Sequence, residues 1–241
     1  MQNFAIVIPT YNERGNIRKL VLTLLEMYPA ARIFVVDDNS PDGTAEVVNE
    51  LARNDGRVKL VFRDSRQGLS TAYMDAFARI LPDDTIHHIV TMDADLSHNP
   101  ADLPGLLEHA ASHDLVVGSR YVEGGTIDNW EWWRKFVSTF GNAYTRLVLG
   151  VPIYDLTGGF VVYTREALAG VLPHIEVREP YAYQTEMKYL AYRLGSKIKE
   201  VPIKFTERGS GKSKFKQRAV LEALFFPWYL RLLGRRLEKN F

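Results

Sequence analysis

The chain has 241 residues, 46% hydrophobic and 24% charged, which is ordinary for a globular protein and enough for a sizeable α/β core. Its net charge of +1 singles out no class of partner, and nothing in it calls for nucleic acid. It has no cysteine, which excludes disulfides and thiolate metal sites and suits a reducing cytoplasm. The opening MQNFAIVIPTYNE enters a strand pattern with no basic n-region, so no signal peptide is expected. No window reaches the roughly 18 uninterrupted apolar residues of a membrane span, so a soluble or peripheral protein is expected.

In chain order, Phe4–Ile8 reads as a buried strand stopped by Pro9. Over 14–27, Ile17, Leu20, Val21, Leu24 and Leu25 fall on one helical face. Ile33–Val36 is a second strand, and Asp42 or Thr44 caps a helix carrying Val47, Val48 and Leu51. Val58–Phe62 is a third strand, 69–81 a helix, and His88–Met92 a fourth strand. Asn99-Pro100 opens the next helix, with proline at its first position, and Leu115–Val117 is a further strand. Residues 121–133 read as an aromatic loop, 134–149 as a helix, Thr157–Tyr163 as a turn leading into a strand, 182–194 as a helix and Lys199–Phe205 as a strand. A Gly/Ser/Lys loop over 207–216 precedes a Pro-interrupted amphipathic segment over 217–237. The alternation predicts an α/β fold with a mostly parallel central sheet flanked by helices. One domain over 1–216, with a C-terminal extension over 217–241, is expected.

In open sheets of this kind ligands sit at the carboxyl ends of the strands, and the polar clusters fall there. They are Pro9–Glu13, Asp37–Ser40, Asp93-Ala94-Asp95 and Gly118–Tyr121. Asp93 and Asp95 at such an end could hold Mg²⁺ or Mn²⁺ against a departing nucleoside diphosphate, though turn aspartates explain an isolated pair equally well. Asp38 could accept from a base or ribose, Tyr11 could stack on the base and Glu13 could bind a ribose hydroxyl. Arg120, beside a glycine where backbone could approach a ligand, Arg134 and Arg208 could neutralise diphosphate bidentately. From Lys204 to Asn240 ten Lys/Arg stand against three Glu, a net of +7, so the remainder carries −6. Lys212 and Lys214 could thus meet an anionic acceptor. Gly209–Lys214 lacks the phosphate-loop spacing, no G-x-G-x-x-G follows the first strand, and the position after that strand is acidic where a nucleotidyltransferase has a basic glycine-rich loop.

Seven segments in order carry a family resemblance: Ile8–Glu13, Val35–Thr44, Met92–Pro100, Gly118–Tyr121, Thr157–Phe160, Gln184–Met187 and Glu207–Lys214. The chain resembles inverting family 2 glycosyltransferases of GT-A fold, and among them the polyprenol (dolichyl) phosphate mannose synthases without transmembrane helices. The resemblance implies GDP-mannose as donor and a polyprenyl or dolichyl phosphate as acceptor. A relative using UDP-glucose, or a non-catalytic nucleotide-sugar-binding protein, is the alternative. It implies that Pro9, Tyr11, Glu13, Val36, Asp38, Asp93 and Ala94 line the nucleotide site. Asp95 and Ser97 would bind the metal, where many relatives carry glutamine in place of Ser97. Arg120, Arg134 and Arg208 would contact phosphates, with Lys214 near the acceptor phosphate. An acceptor in a bilayer implies peripheral contact with the cytoplasmic face of a membrane. The stretch Leu224–Leu233 beside Arg231, Arg235 and Arg236 has the composition of an interfacial helix, or of an ordinary packing helix.

Overall fold

Short β-branched runs become strands and amphipathic stretches become the helices that cover them. The computed structural model describes residues 3–176, 180–206 and 217–237. Its first half comprises β1 (Phe4–Thr10), α1 (Arg14–Met27), β2 (Ala31–Asp37), α2 (Thr44–Asn54), β3 (Val58–Phe62), α3 (Leu69–Ile80), β4 (His88–Thr91), α4 (Leu103–Ala110) and β5 (Leu115–Ser119). Then come β6 (Thr126–Asp128), α5 (Trp132–Leu149), β7 (Val161–Thr164), α6 (Arg165–Val171), α7 (Pro180–Arg193), β8 (Ile198–Pro202), β9 (Lys204–Thr206) and α8 (Gln217–Leu237).

Seven strands form one sheet in the order β3-β2-β1-β4-β7-β5-β8. All neighbours are parallel except β7, which runs antiparallel to both β4 and β5. Alternate side chains feed two cores, as the period of two requires. Phe4, Ile6 and Ile8 of β1 face a cluster with α1, α2 and α4, while Ala5 and Val7 face one with α3, α6 and α7. A third cluster joins Leu149, Val151, Ile153, Leu156 and Tyr189 to Leu230 and Leu233 of α8.

The structure departs from the sequence expectations where pairing is not local. The aromatic loop contains β6, which pairs in parallel with β9 as a separate two-stranded sheet. The strand expected over Lys199–Phe205 is therefore two, one in each sheet. α6 was not anticipated. Asn99 caps a 3₁₀ turn at Pro100–Asp102, accepting from the Ala101 N–H, before α4 begins. Among the described residues no helix is long and apolar enough to cross a membrane.

Candidate active site

The ends of β1 and β2 are joined by Asp37, whose carboxylate accepts from Thr10 Oγ1 and from the Ser40 N–H and hydroxyl. Asn12 and Asn39 take left-handed backbone conformations, which asparagine tolerates, and these fold the two turns over one another. Asp38 is buried and holds the turn before α3. It accepts from the N–H groups of Gln67 and Gly68 and pairs with Arg63 at 3.0 Å. Glu13 is buried, its carboxylate accepts from Asn16 Nδ2 and its N–H donates to Thr44 Oγ1. Tyr11 stays half exposed with the Arg66 guanidinium 3.9 Å from its ring centroid. Pro9 lies within β1, in register with Val36 of β2. The side chains of Val36 and Ala94 point into the cores, so only their main chain faces outward.

β4 ends in Asp93-Ala94-Asp95. Asp95 accepts from the N–H and, at 2.5 Å, the hydroxyl of Ser97, while Leu96 between them has φ 64°. A leucine in that region is strained backbone, a feature that concentrates at functional turns. The side chain of Asp93 is 36% exposed. Its N–H donates to His98 Nδ1 at 3.2 Å, and the buried His98 ring stacks on Phe160. Burial pushes His98 below its ordinary value against the opposing pull of Asp93 and Asp95, so the ring is a neutral support. On the other side of Asp93 lies Gly159: a Cβ there would come within 3.1 Å of Asp93 Oδ1.

Arg120, at the end of β5, reaches this place as half of a buried ion pair. Its Nε and Nη2 donate to Asp155 at 2.8 and 2.7 Å, and Nη2 also donates to Thr157 Oγ1. Burial alone would raise Asp155, but the guanidinium, its hydrogen bonds and Lys188 outweigh it and hold the carboxyl at about 2. The same pairing, against burial, raises Arg120. Gly118 was expected to let backbone approach a ligand. Instead a side chain there would meet Ile203 at 3.0 Å and Phe160 at 3.2 Å, so its smallness serves internal packing. Arg134 lies 5.1 Å over the Trp130 ring, which meets Phe205 edge-on, and Phe205 in turn contacts His98 and lies 5.2 Å from Arg120. This aromatic column links Arg134 to the Asp93 turn. Arg208, Lys212 and Lys214 lie outside the described residues.

Sequence reasoning missed Asp155 and Lys188. Asp155 is separated from Arg120 by 35 positions, and no local pattern links them. Lys188 is wholly buried in α7, where Tyr183 to Ala191 carries no solvent face, and that unbroken burial was the signal available.

The glycosyl transferase family 2 model matches residues 5–172. The chain belongs to this family. It is 42% identical over 226 residues to a polyprenol monophosphomannose synthase from Mycolicibacterium smegmatis, covering 93% of this chain and 85% of that one. It is 40% identical over 219 residues to an undecaprenyl-phosphate mannosyltransferase from Micrococcus luteus, covering 90% and 89%. Among solved structures it is similar to glucosyl-3-phosphoglycerate synthase from Mycobacterium tuberculosis, there in complex with Mn²⁺, UDP and glucosyl-3-phosphoglycerate. That likeness has a TM-score of 0.65 at 17% identity and covers 94% of this chain and 80% of that one. It establishes the GT-A fold. For this family 2 glycosyltransferase, the fold thus places the two acidic turns of β2 and β4 at one end of the sheet.

The donor set of the β4 turn suits a hard divalent cation. Asp93 and Asp95 offer carboxylate oxygens, Ser97 a hydroxyl on the same carboxylate, and the neighbouring His98 ring is locked in the core. Among the described residues no group of three or more His, Cys, Asp and Glu could cage an ion. Ligand oxygens and water would then complete the shell, as Mg²⁺ sites commonly require.

Proposed function

We propose that the chain transfers mannose, with inversion, from GDP-mannose to a polyprenyl phosphate at the cytoplasmic face of a membrane. One observation carries the reading: Asp93 and Asp95 lie at a strand end, backed by Gly159 and the Arg120–Asp155 pair, in a chain 42% identical to a polyprenol monophosphomannose synthase. Asp95 would hold Mg²⁺ or Mn²⁺, with Ser97 on the same carboxylate oxygen. The ion would supply charge neutralisation to the departing diphosphate. Tyr11, Glu13 and Asp38, with the main chain of Pro9, Val36 and Ala94, bind the nucleoside end. Arg120 supplies positive charge from beneath Asp93, Arg134 contacts phosphate, and Arg208 and Lys214 do so from the basic loop.

The acceptor phosphate is an anion at neutral pH, so its oxygen attacks the anomeric carbon without a strong base while the bond to the diphosphate oxygen breaks. The protein's work is alignment and charge neutralisation. The membrane side of the reading rests on exposed aromatics. Trp132, Phe136 and Phe140 of α5 are 81%, 65% and 61% exposed at helical spacing, and Phe225 and Leu232 of α8 are 71% and 60% exposed. Tyr144 of α5 donates to the Leu224 carbonyl, so the two helices present these residues together.

The test is a donor screen with purified protein, Mg²⁺ or Mn²⁺ and polyprenyl phosphate. Lipid-linked sugar should form from GDP-mannose; product only from UDP-glucose overturns the donor assignment. Asp95→Ala should lose activity by at least about 100-fold while melting as the wild type does. Near-normal turnover by that variant in metal-containing buffer would remove Asp95 from the ion site.

A further inference from the structure

The loop from Tyr154 to Phe160 carries no regular structure, yet its main chain is held from several sides. Glu200 accepts from the N–H groups of Tyr154 and Asp155 at 2.7 and 2.8 Å. Asn142 Oδ1 accepts from Leu156 N, and Asp155 accepts from Gly158 N. The loop's carbonyls turn the other way, into the core. There Lys188 Nζ donates to Leu156 O at 3.1 Å and to Gly158 O at 2.6 Å, with Thr185 Oγ1 also directed at Leu156 O. Lys188 is fully buried, and these contacts are to carbonyl oxygens. A long cationic side chain is rarely kept in such a place without a task. One residue further along the loop, Gly159 leaves no room for a side chain beside the Asp93 carboxylate, where a Cβ would come within 3.1 Å of Oδ1, and its carbonyl accepts from Thr91 Oγ1 at 2.7 Å.

We propose that Lys188 is a positioning residue for the transfer reaction: from inside the core it holds the Leu156 and Gly158 carbonyls, and so fixes the Gly158-Gly159 turn against Asp93. The inference rests on the functional reading above. The charge of the ammonium matters as well as its hydrogen bonds. Asp155 from the loop, Glu200 from β8 and Asp93 from the end of β4 favour it, and Arg120 from the end of β5 opposes it. Burial is the largest influence and brings Lys188 down to about 8. Above that pH the carbonyls lose a charged donor and hold the turn more weakly. Stability moves the other way. The unfolded chain keeps this proton toward the ordinary 10.5, so between about 8 and 10.5 the unfolded state binds more protons and folding gains from rising pH. A merely structural lysine gives no reason for activity to fall where its own contribution to stability rises.

The experiment compares the full wild-type chain with Lys188→Met, which keeps the stem and volume and removes the donors and the charge. Turnover of GDP-mannose with polyprenyl phosphate, GDP affinity and melting temperature are measured from pH 7 to 9. Lys188→Met should melt cooperatively, bind GDP within about twofold of wild type and lose kcat by about tenfold to a hundredfold. Wild-type kcat should fall along a limb centred near the Lys188 value of about 8 while its melting temperature does not fall with it, and the limb should vanish in the variant. A folded Lys188→Met with wild-type kcat and an unchanged limb overturns the inference. So does a variant that loses GDP binding in step with kcat, since the site has then collapsed as a whole. Where Lys188→Met does not fold, Lys188→Gln, which keeps a donor without the charge, takes its place, and wild-type kcat with an unchanged limb in that folded variant overturns the proposal. A wild-type chain that makes no lipid-linked sugar from any donor fails the functional reading and this inference together; wild-type turnover matched by the variant fails this inference alone.

Discussion

Asp155 has an exposure of 0% and its carboxylate accepts from the Arg120 main chain, the Arg120 guanidinium and the Gly158 N–H. A pair this deep contributes little net stability against apolar residues of the same shape, but it is costly to break from one side. Asp155→Asn would leave Arg120 buried without its counter-charge, and chemical denaturation should show a loss of about 3–5 kcal/mol. A loss under about 1 kcal/mol would mean that water reaches the guanidinium. The acid limb follows from the same carboxylate. Held at about 2 instead of 3.8, Asp155 contributes stability that is fully present above pH 3.8 and is lost as pH falls through 2. The contribution is on the order of 2 kcal/mol, and Asp155→Asn should flatten that part of the acid unfolding curve. Asp93, Asp95, Asp38 and Tyr11 are legible as candidates because each stands within three residues of the end of an apolar run. Asp155, in an irregular loop, and Lys188, inside a helix whose other face could have been wet, depend on contacts that no window of sequence contains.

At the level of elements, α8 has two faces with different duties. Leu230 and Leu233 complete the third apolar cluster with Leu149 and Tyr189, whereas Phe225 and Leu232 face outward beside the bare aromatic ridge of α5. The packing reading of the segment is met by its inner face, and the proposed interfacial one concerns its outer face alone. Truncation after Gln217 would strip cover from the cluster, so it cannot separate membrane contact from folding. Surface changes can. Phe136→Ser with Phe225→Ser should leave the melting temperature within a few degrees, since both rings are solvated. Binding to anionic vesicles should weaken by about tenfold or more if both rings enter the lipid interface. Unchanged cosedimentation would detach this face from the membrane.

Across the whole molecule, the parallel part was legible because each strand and its crossover helix are contiguous in the chain. β3, α2 and α1 match their apolar patterns to within a residue or two. The second half was harder to read, because β6 finds its partner about 78 positions away and β7 inserts between two strands that the alternation would have made neighbours. Protection should follow the same division. β1, flanked on both sides and buried on both faces, should exchange its amides slowest, and the three-residue pairing of β6 with β9 fastest. Exchange at one common rate across both sheets would contradict this.

The reversed strand β7 has one further consequence. β5 leaves the sheet at Ser119 and β7 re-enters at Val161 from the same end, and the Gly118 N–H donates to Phe160 O at 2.8 Å across the gap. Everything between, from Arg120 to Phe160, is a cassette clasped at its own mouth. Its middle, Thr126 to Leu149, includes Arg134 and the Asn142 side chain that accepts from the Leu156 N–H, so a change there bears on the Gly158-Gly159 turn even where the strands leading to Asp38 and Asp93 stay in place. A graft that replaces this stretch therefore has to carry Arg134 and Asn142 with it.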